Sequence, residues 1–227
     1  MDIGNRIKTA IDRPDQALVE QFRGIPASNI GDMMNRLFNM DGDMKCYGKP
    51  ELLGPAFTVR CPEGDNVFLH LAIELAQPGD VIVVNGFGCR SRALMGEMMF
   101  TYAKARGIAG FVLDGAVRDV ESLDHLDMPV YARAVTPQGP LKNGYGEINH
   151  PIACGGQVVM PGDIICGDAD GIVVIPQADA HKVTQLSRDK FNNEQEKLVL
   201  YRKGEINREA HRKAYQVVAD KIGTLFE

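Results

Sequence analysis

Two short stretches constrain this chain more than any others: DVIVVNG at 80–86 and IAGFVLDG at 108–115. Each is a run of apolar residues without polar alternation, the pattern of a strand buried on both faces. The segment between them, roughly Ser91 to Arg106, reads as a helix that starts just beyond the Gly86-Phe87-Gly88 turn and stops at Gly107. Strand, helix and strand joined by loops of a few residues make a parallel pair. A parallel sheet has to be covered on its faces, so an α/β fold is predicted.

The rest of the chain extends this frame. The first sixty residues read as helices leading into a strand, with Ser28 as the cap of a helix carrying Ile30, Met33, Met34, Leu37 and Phe38. Gly54-Pro55 introduces the alternating strand AFTVRC. NVFLHLAIELAQ is helical, capped by Asp65 or Asn66 and stopped by Pro78-Gly79. A short helix over Val120–Leu126 and the strand PVYARAVT follow. Residues 139–176 turn β-rich with Gly and Pro turns, and Pro-Gly-Asp precedes an apolar strand twice, at 78–80 and 161–163. From Gln177 the chain is polar and helical. With no linker or low-complexity stretch, the parse is a single domain over 1–227: an N-terminal helical part (about 1–50), a core (51–176) and a C-terminal helical arm (177–227).

Composition narrows the function classes. A net charge of −5 and a pI near 5.6, with no basic run, argue against a nucleic-acid footprint. There is no apolar leader at the start and no 18-residue apolar run, so a cytoplasmic protein without a membrane partner is expected. Five cysteines lie singly, without CxxC spacing, and five histidines show neither HxxxH nor HxH. This excludes a disulfide framework and a zinc or histidine-built metal site as readings of the sequence.

Ligands of open α/β sheets bind beyond the carboxyl ends of the strands. Two such ends are expected here, at Asn85-Gly86-Phe87-Gly88 and at Asp114-Gly115, with Asp114 capping the turn. Just past the second stands Arg118-Asp119. Arginine offers a planar donor fork for carboxylate or carbonyl oxygens, and aspartate a hard oxygen for Mg²⁺. In the intervening helix, free amides near Gly96 would favour an anion. Glu97 precedes Arg118 by twenty residues between, the length of a helix and a strand returning to the same rim. Gly86-x-Gly88 has no third glycine at the Rossmann spacing, and no acidic ribose partner follows the first clear strand, so a nucleotide-dependent methyltransferase is not expected.

The segments IPASNIGDMMNRL, GPAFTVRC, QPGDVIVVNGFG, RALMGEMM, AKARGIAGFVLDGAVRD and GDIICGDADGIVVIP together resemble the class II pyruvate aldolases that cleave 4-hydroxy-4-methyl-2-oxoglutarate and 4-carboxy-4-hydroxy-2-oxoadipate. They resemble equally the relative of these enzymes, the regulator of ribonuclease activity A. That family carries an acidic residue, twenty residues, then Arg-Asp, here Glu97 and Arg118-Asp119. The resemblance implies the layered β/β/α fold of the phosphohistidine swivelling domain. It implies a divalent cation, Mg²⁺ or Mn²⁺, on Asp119, largely through water. The pyruvate unit's oxygens would lie on Arg118 and its carboxylate on the amides of Gly96, Glu97, Met98 and Met99. Glu97 matches the acidic position near the cation's waters. It implies homotrimers or homohexamers with the site between subunits, Glu194 being a candidate contribution from a neighbour's C-terminal helix.

The expected activity is a metal-dependent carbon–carbon lyase. It would release pyruvate from a 4-hydroxy-2-oxo dicarboxylate, decarboxylate oxaloacetate, or both, with Glu97 orienting a water as the base. Three residues after Asp119, where the aldolase pattern has an acid, this chain has Ser122; Glu121 and Asp124 are offset from it by about 100° and 200° on a helix. The alternative is a non-enzymatic regulator of ribonuclease activity acting by protein–protein binding, which requires none of Glu97, Arg118 and Asp119. For a second substrate carboxylate the candidate cations are Arg60, Arg92, Arg133 and Lys142.

Overall fold

A computed structural model describes residues 3–223; residues 1–2 and 224–227 of the expected domain lie outside the described residues. The N-terminal part contains β1 (Asn5–Ile7), α1 (Gln16–Glu20), α2 (Ala27–Met33) and β2 (Lys45–Tyr47). Then come β3 (Leu52–Arg60), α3 (Val67–Leu75), β4 (Val81–Met95), α4 (Glu97–Ala105), β5 (Gly110–Val117), α5 (Leu123–Leu126) and β6 (Val130–Val135). The remainder is β7 (Gly146–Ile148), β8 (Ile152–Cys154), β9 (Gln157–Val159), β10 (Ile164–Asp168), β11 (Gly171–Ile175), α6 (Ala180–Arg202) and α7 (Arg208–Lys221).

The main sheet runs β1-β7-β3-β4-β5-β6-β2, and β10 joins it through the first half of β3, bringing β11 with it. β3, β4, β5 and β6 are mutually parallel, as the two apolar runs require. Their residues alternate between two cores. Phe57, Val59, Ile82, Val84, Phe111, Leu113 and Val130 face the helices, packing on Phe68, Leu69, Ile73, Phe100 and Leu123. Ala56, Val81, Val83, Val112 and Tyr131 face the other way, onto Ile152, Cys154, Val159, Ile165 and Val174. Helices therefore cover one face and short strands the other, and both faces of the parallel strands are dry. Phe100 of α4 and Phe111 of β5 meet edge to face at 6.2 Å, a contact worth about 1 kcal/mol beyond area burial.

The N-terminal part is less helical than expected. α2 ends at Met33 because Asn35 and Arg36 take positive φ, so Leu37 and Phe38 lie beyond it. Ser28 is inside α2 and not its cap. The cap residue is Pro26, and the Asp168 carboxylate of β10 accepts the Ala27 N–H at 2.8 Å. β3 starts at Leu52, ahead of Gly54-Pro55, because the β10 partner pairs with residues 52–55.

Two compact units divide the chain, Met1–Arg188 and Asp189–Glu227. The first holds the whole sheet and both cores. The second holds the C-terminal part of α6 and all of α7, whose N-cap Asn207 accepts from the Ala210 N–H at 2.9 Å. Among the described residues no helix is long and apolar enough to cross a membrane.

Candidate active site

β4 does not end at Asn85. Its first half pairs regularly with β5, and then the Asn85 side chain accepts the Phe87 N–H at 2.9 Å while Phe87 and Gly88 take positive φ. After this turn the chain returns to the sheet, pairing Cys89, Ala93 and Met95 with Gly115, Ala116 and Val117. The helix expected from Ser91 therefore begins at Glu97. Ala93, Leu94 and Met95 are committed to the core and the ladder, and only Gly96 is free to start a new element.

β5 likewise runs through Asp114-Gly115 to Val117. Gly115 is not an exit turn; a Cβ there would stand 2.7 Å from Leu94 Cδ1, so the glycine admits the returning strand. Asp114 caps no turn. Its carboxylate accepts from Arg133 Nε and, at 2.9 Å, from the Gly155 N–H, tying the central strands to the β8–β9 hairpin. Those bonds, with Asp41's, hold the Arg133 guanidinium pKa above its ordinary range.

The C-terminal ends of β4 and β5 place three of the expected residues together. Arg118 N–H bonds to the Met95 carbonyl at 3.0 Å, setting the Arg118-Asp119 step beside the start of α4. Asp119, at φ 55°, turns its carboxylate back so that Oδ2 accepts the Glu97 N–H at 3.2 Å and lies 3.4 Å from Arg118 Nε. Both side chains are nearly half exposed. The carboxylate thus occupies the positive end of α4, where the helix dipole favours an anion. Gly96 sits against this pair in an extended conformation, and a Cβ on it would approach Arg118 Cγ and Nε at 2.9 Å and Asp119 Oδ2 closer still. Only a missing side chain leaves that space.

Of the four amides expected to hold a carboxylate, that of Glu97 is engaged by Asp119 and that of Met99 by the Gly96 carbonyl at 3.0 Å. The Met98 side chain is 84% exposed, whereas Met99 packs inward beside Asn66. Ser122 is partly exposed at the same depression and brings a hydroxyl where the aldolase pattern has an acid. Its hydroxyl donates to the Asp119 carbonyl at 2.7 Å and its N–H follows at 3.1 Å, which pins the left-handed Asp119 backbone. Glu194 bonds Lys190 at 2.6 Å within the second unit.

Residues not assigned to the site from the sequence lie beside it. Glu121 and His125 line an open depression with Glu97, Asp119 and Ser122. Asn66 is buried, donates to the Leu94 carbonyl at 2.9 Å, and leaves its side-chain oxygen without a partner. Among the described residues, no three His, Cys, Asp or Glu side chains cluster as a metal cage. The exposed Asp119 carboxylate, with Glu97 and Glu121 on the same depression, nonetheless suits a hard cation that keeps most of its waters.

Several known proteins are similar to this chain in sequence and fold. A protein of Halalkalibacterium halodurans, named provisionally as a 4-hydroxy-4-methyl-2-oxoglutarate aldolase, is 42% identical over 173 residues, covering 76% of this chain and 82% of that one. The structure of the RNA-processing inhibitor RraA of a Thermus species matches with TM-score 0.62 and 30% identity, over 66% of this chain and 92% of that one. A Streptomyces coelicolor member of the RNase ES inhibitor RraA family matches with TM-score 0.73 and 27% identity, over 84% and 100%. Residues 27–174, from the start of α2 to β11, match the RraA-like family described as Aldolase/RraA, and the chain belongs to that family.

Proposed function

We propose that this chain is a carbon–carbon lyase that releases pyruvate from a 2-oxo acid, by retro-aldol cleavage of a 4-hydroxy-2-oxo dicarboxylate, by decarboxylation of oxaloacetate, or by both. The observation that carries the reading is the convergence of Arg118, Asp119 and the first turn of α4 around a side-chain-free Gly96. The name of the Halalkalibacterium relative supports it.

Both reactions break a carbon–carbon bond next to what becomes the pyruvate enolate, so both need negative charge stabilised on the 2-oxo oxygen. The Arg118 guanidinium provides a fixed charge and a planar fork for the oxygens of the pyruvate unit. The Gly96 and Met98 amides add donors at the positive end of α4. The half-exposed Asp119 would hold a divalent cation, Mg²⁺ or Mn²⁺, which supplies Lewis acidity at the 2-oxo group. Glu97, exposed at the rim, takes the 4-hydroxyl proton through a water in the retro-aldol direction; in decarboxylation, carbon dioxide leaves and no such base is needed. Site placement between subunits of a trimer or hexamer, and the swivelling-domain form of the β/β/α layers, belong to the same reading.

The test is Arg118→Ala, assayed for pyruvate release from oxaloacetate and from 4-hydroxy-4-methyl-2-oxoglutarate, with Mg²⁺ and with EDTA. A loss of about a hundredfold or more is expected from removing one preorganised donor, and EDTA is expected to abolish turnover. Unchanged rates sink the assignment. The Thermus and Streptomyces relatives support a second reading, inhibition of a ribonuclease by surface binding. Ribonuclease binding that survives Arg118→Ala, with no turnover of either acid by the unaltered protein, favours it.

A further inference from the structure

Arg6, Glu147 and Arg60 stand level on three neighbouring strands. The register sets Glu147 of β7 opposite Arg6 of β1 and opposite Arg60 of β3, and Arg60 in turn opposite Asn85 of β4. Cross-strand partners share a face, so the three charges form a row at the carboxyl end of β3. Glu147 is buried. Its Oε1 accepts Arg6 Nε at 2.9 Å and its Oε2 accepts Arg60 Nη1 at 2.8 Å. The Arg6 hydrogen bond first, and then the Arg6 and Arg60 charges, outweigh burial and hold the Glu147 carboxyl below its ordinary pKa, so it is ionised at neutral pH. One buried carboxylate here has two guanidiniums, whereas the buried Asp80 is matched by Arg13 alone.

The row therefore carries one positive charge more than Glu147 neutralises. Both arginine side chains are nearly half exposed, and among the described residues no hydrogen bond engages Arg6 Nη1 or Arg60 Nε. Beside them opens a pocket of about 380 Å³, which Arg6, Arg60 and Glu147 line together with Phe87 and Tyr145. The two rings are 56% and 70% exposed. Phe87 is held there by its turn: it takes positive φ, and the Asn85 side chain at the end of the row accepts its N–H at 2.9 Å. Apolar walls around a few fixed polar groups, in a volume of a few hundred Å³, are the usual form of a small-molecule site. This pocket shares no lining residue with the depression around Asp119.

We propose that this pocket binds an aromatic monocarboxylate, with its carboxylate on the free N–H groups of Arg6 and Arg60 and its ring against Phe87 and Tyr145. The single surplus charge suits a monoanion better than a phosphate dianion, and guanidinium forks match the planar carboxylate. The exposed rings of Phe87 and Tyr145 offer faces and edges to a flat apolar body. The site stands apart from the pyruvate reading and does not rest on it.

The test is calorimetry on the full chain with benzoate and with benzamide, which keeps the ring and removes the charge. The unaltered protein is expected to bind benzoate about tenfold more tightly than benzamide. Arg6→Gln should lose that preference, and Tyr145→Ala, at an exposed position, should weaken benzoate by about three- to tenfold. Arg118→Ala should bind benzoate as the unaltered protein does, which separates this pocket from the proposed pyruvate site. Equal affinity for the two probes, or no benzoate binding at millimolar concentration, overturns the proposal. So does benzoate binding that survives Tyr145→Ala undiminished and disappears in Arg118→Ala, since the anion would then sit in the depression at Asp119. The Tyr145→Ala result decides the matter even where Arg6→Gln, which strips a partner from a buried carboxylate, fails to fold.

Discussion

Replacing Gly96 with alanine separates the site's chemistry from the fold's stability. The residue is extended, with φ −150° and ψ −172°, a conformation open to any amino acid, so the backbone pays nothing for a methyl group. The methyl meets Arg118 Cγ and Nε at 2.9 Å and Asp119 Oδ2 closer still. Asp119 Oδ2 ends its side chain, and Arg118 Cγ and Nε move together by rotation about the Cα–Cβ bond; both side chains are nearly half exposed and can swing away into water. The cost to stability is then the Glu97 N–H bond to Asp119, about 1 kcal/mol or less at the surface. For a chain of this size that lowers Tm by about 2–4 °C. Under the proposed function the cost to catalysis is larger, because displacing the groups proposed to hold substrate and cation by about an ångström is worth about a hundredfold in rate. Thermal melting and pyruvate release with Mg²⁺, measured together on Gly96→Ala, should show a nearly native Tm with kcat/KM down about a hundredfold. A variant with native turnover would refute the claim that Arg118 and Asp119 must both stand against Gly96.

Asp65→Asn keeps one acceptor but turns an amide donor toward either Asn143 N–H or Val67 N–H, leaving a buried donor unmatched. It should cost about 1–3 kcal/mol by urea denaturation and raise hydrogen exchange at residues 141–143; unchanged exchange there would contradict a structural role for the buried Asp65 carboxylate. Burial, with the nearby Asp65 charge, pushes the Cys61 thiol from its ordinary 9.0 up to about 12, and burial shifts Cys154 and Cys166 in the same direction. Below pH 9 these thiols are neutral folded or unfolded; above it only the unfolded chain ionises, so stability should fall between pH 9 and 12 by about 1.4 kcal/mol per pH unit for each thiol. Urea midpoints that stay flat from pH 8.5 to 10.5 would contradict this, and Cys61→Ala should flatten the slope by one thiol's share.

What the sequence made legible follows from how local each signal is. The parallel pair at Val81–Asn85 and Gly110–Asp114 was readable because continuous burial leaves a composition mark at each position. The start of α4 was not. Residues 91–95, Ser-Arg-Ala-Leu-Met, read as the first turn of a helix, yet they are drawn into the sheet by pairing with residues from a different strand. Asp114 was misread for the same reason, since its partners Arg133 and Gly155 are 19 and 41 residues away. Arg118 and Asp119 were found as a pair, but the reason for Gly96 was invisible until the carboxylate was seen turned back on the helix start.

Ser122 shows how far a missing acid can be interpreted. A carboxylate at this position would give up the 2.7 Å hydroxyl bond that holds the Asp119 carbonyl and add negative charge to the depression already lined by Glu97, Asp119 and Glu121. Serine instead stabilises the left-handed Asp119 backbone, a conformation that costs a non-glycine residue about 1 kcal/mol or more. The substitution therefore trades acidity for placement. Asp119 keeps its orientation toward Glu97 N–H and Arg118, and Glu121, one residue earlier, supplies a carboxylate on the same rim. Departure from the aldolase pattern at one position thus leaves intact the geometry on which the proposed pyruvate recognition depends.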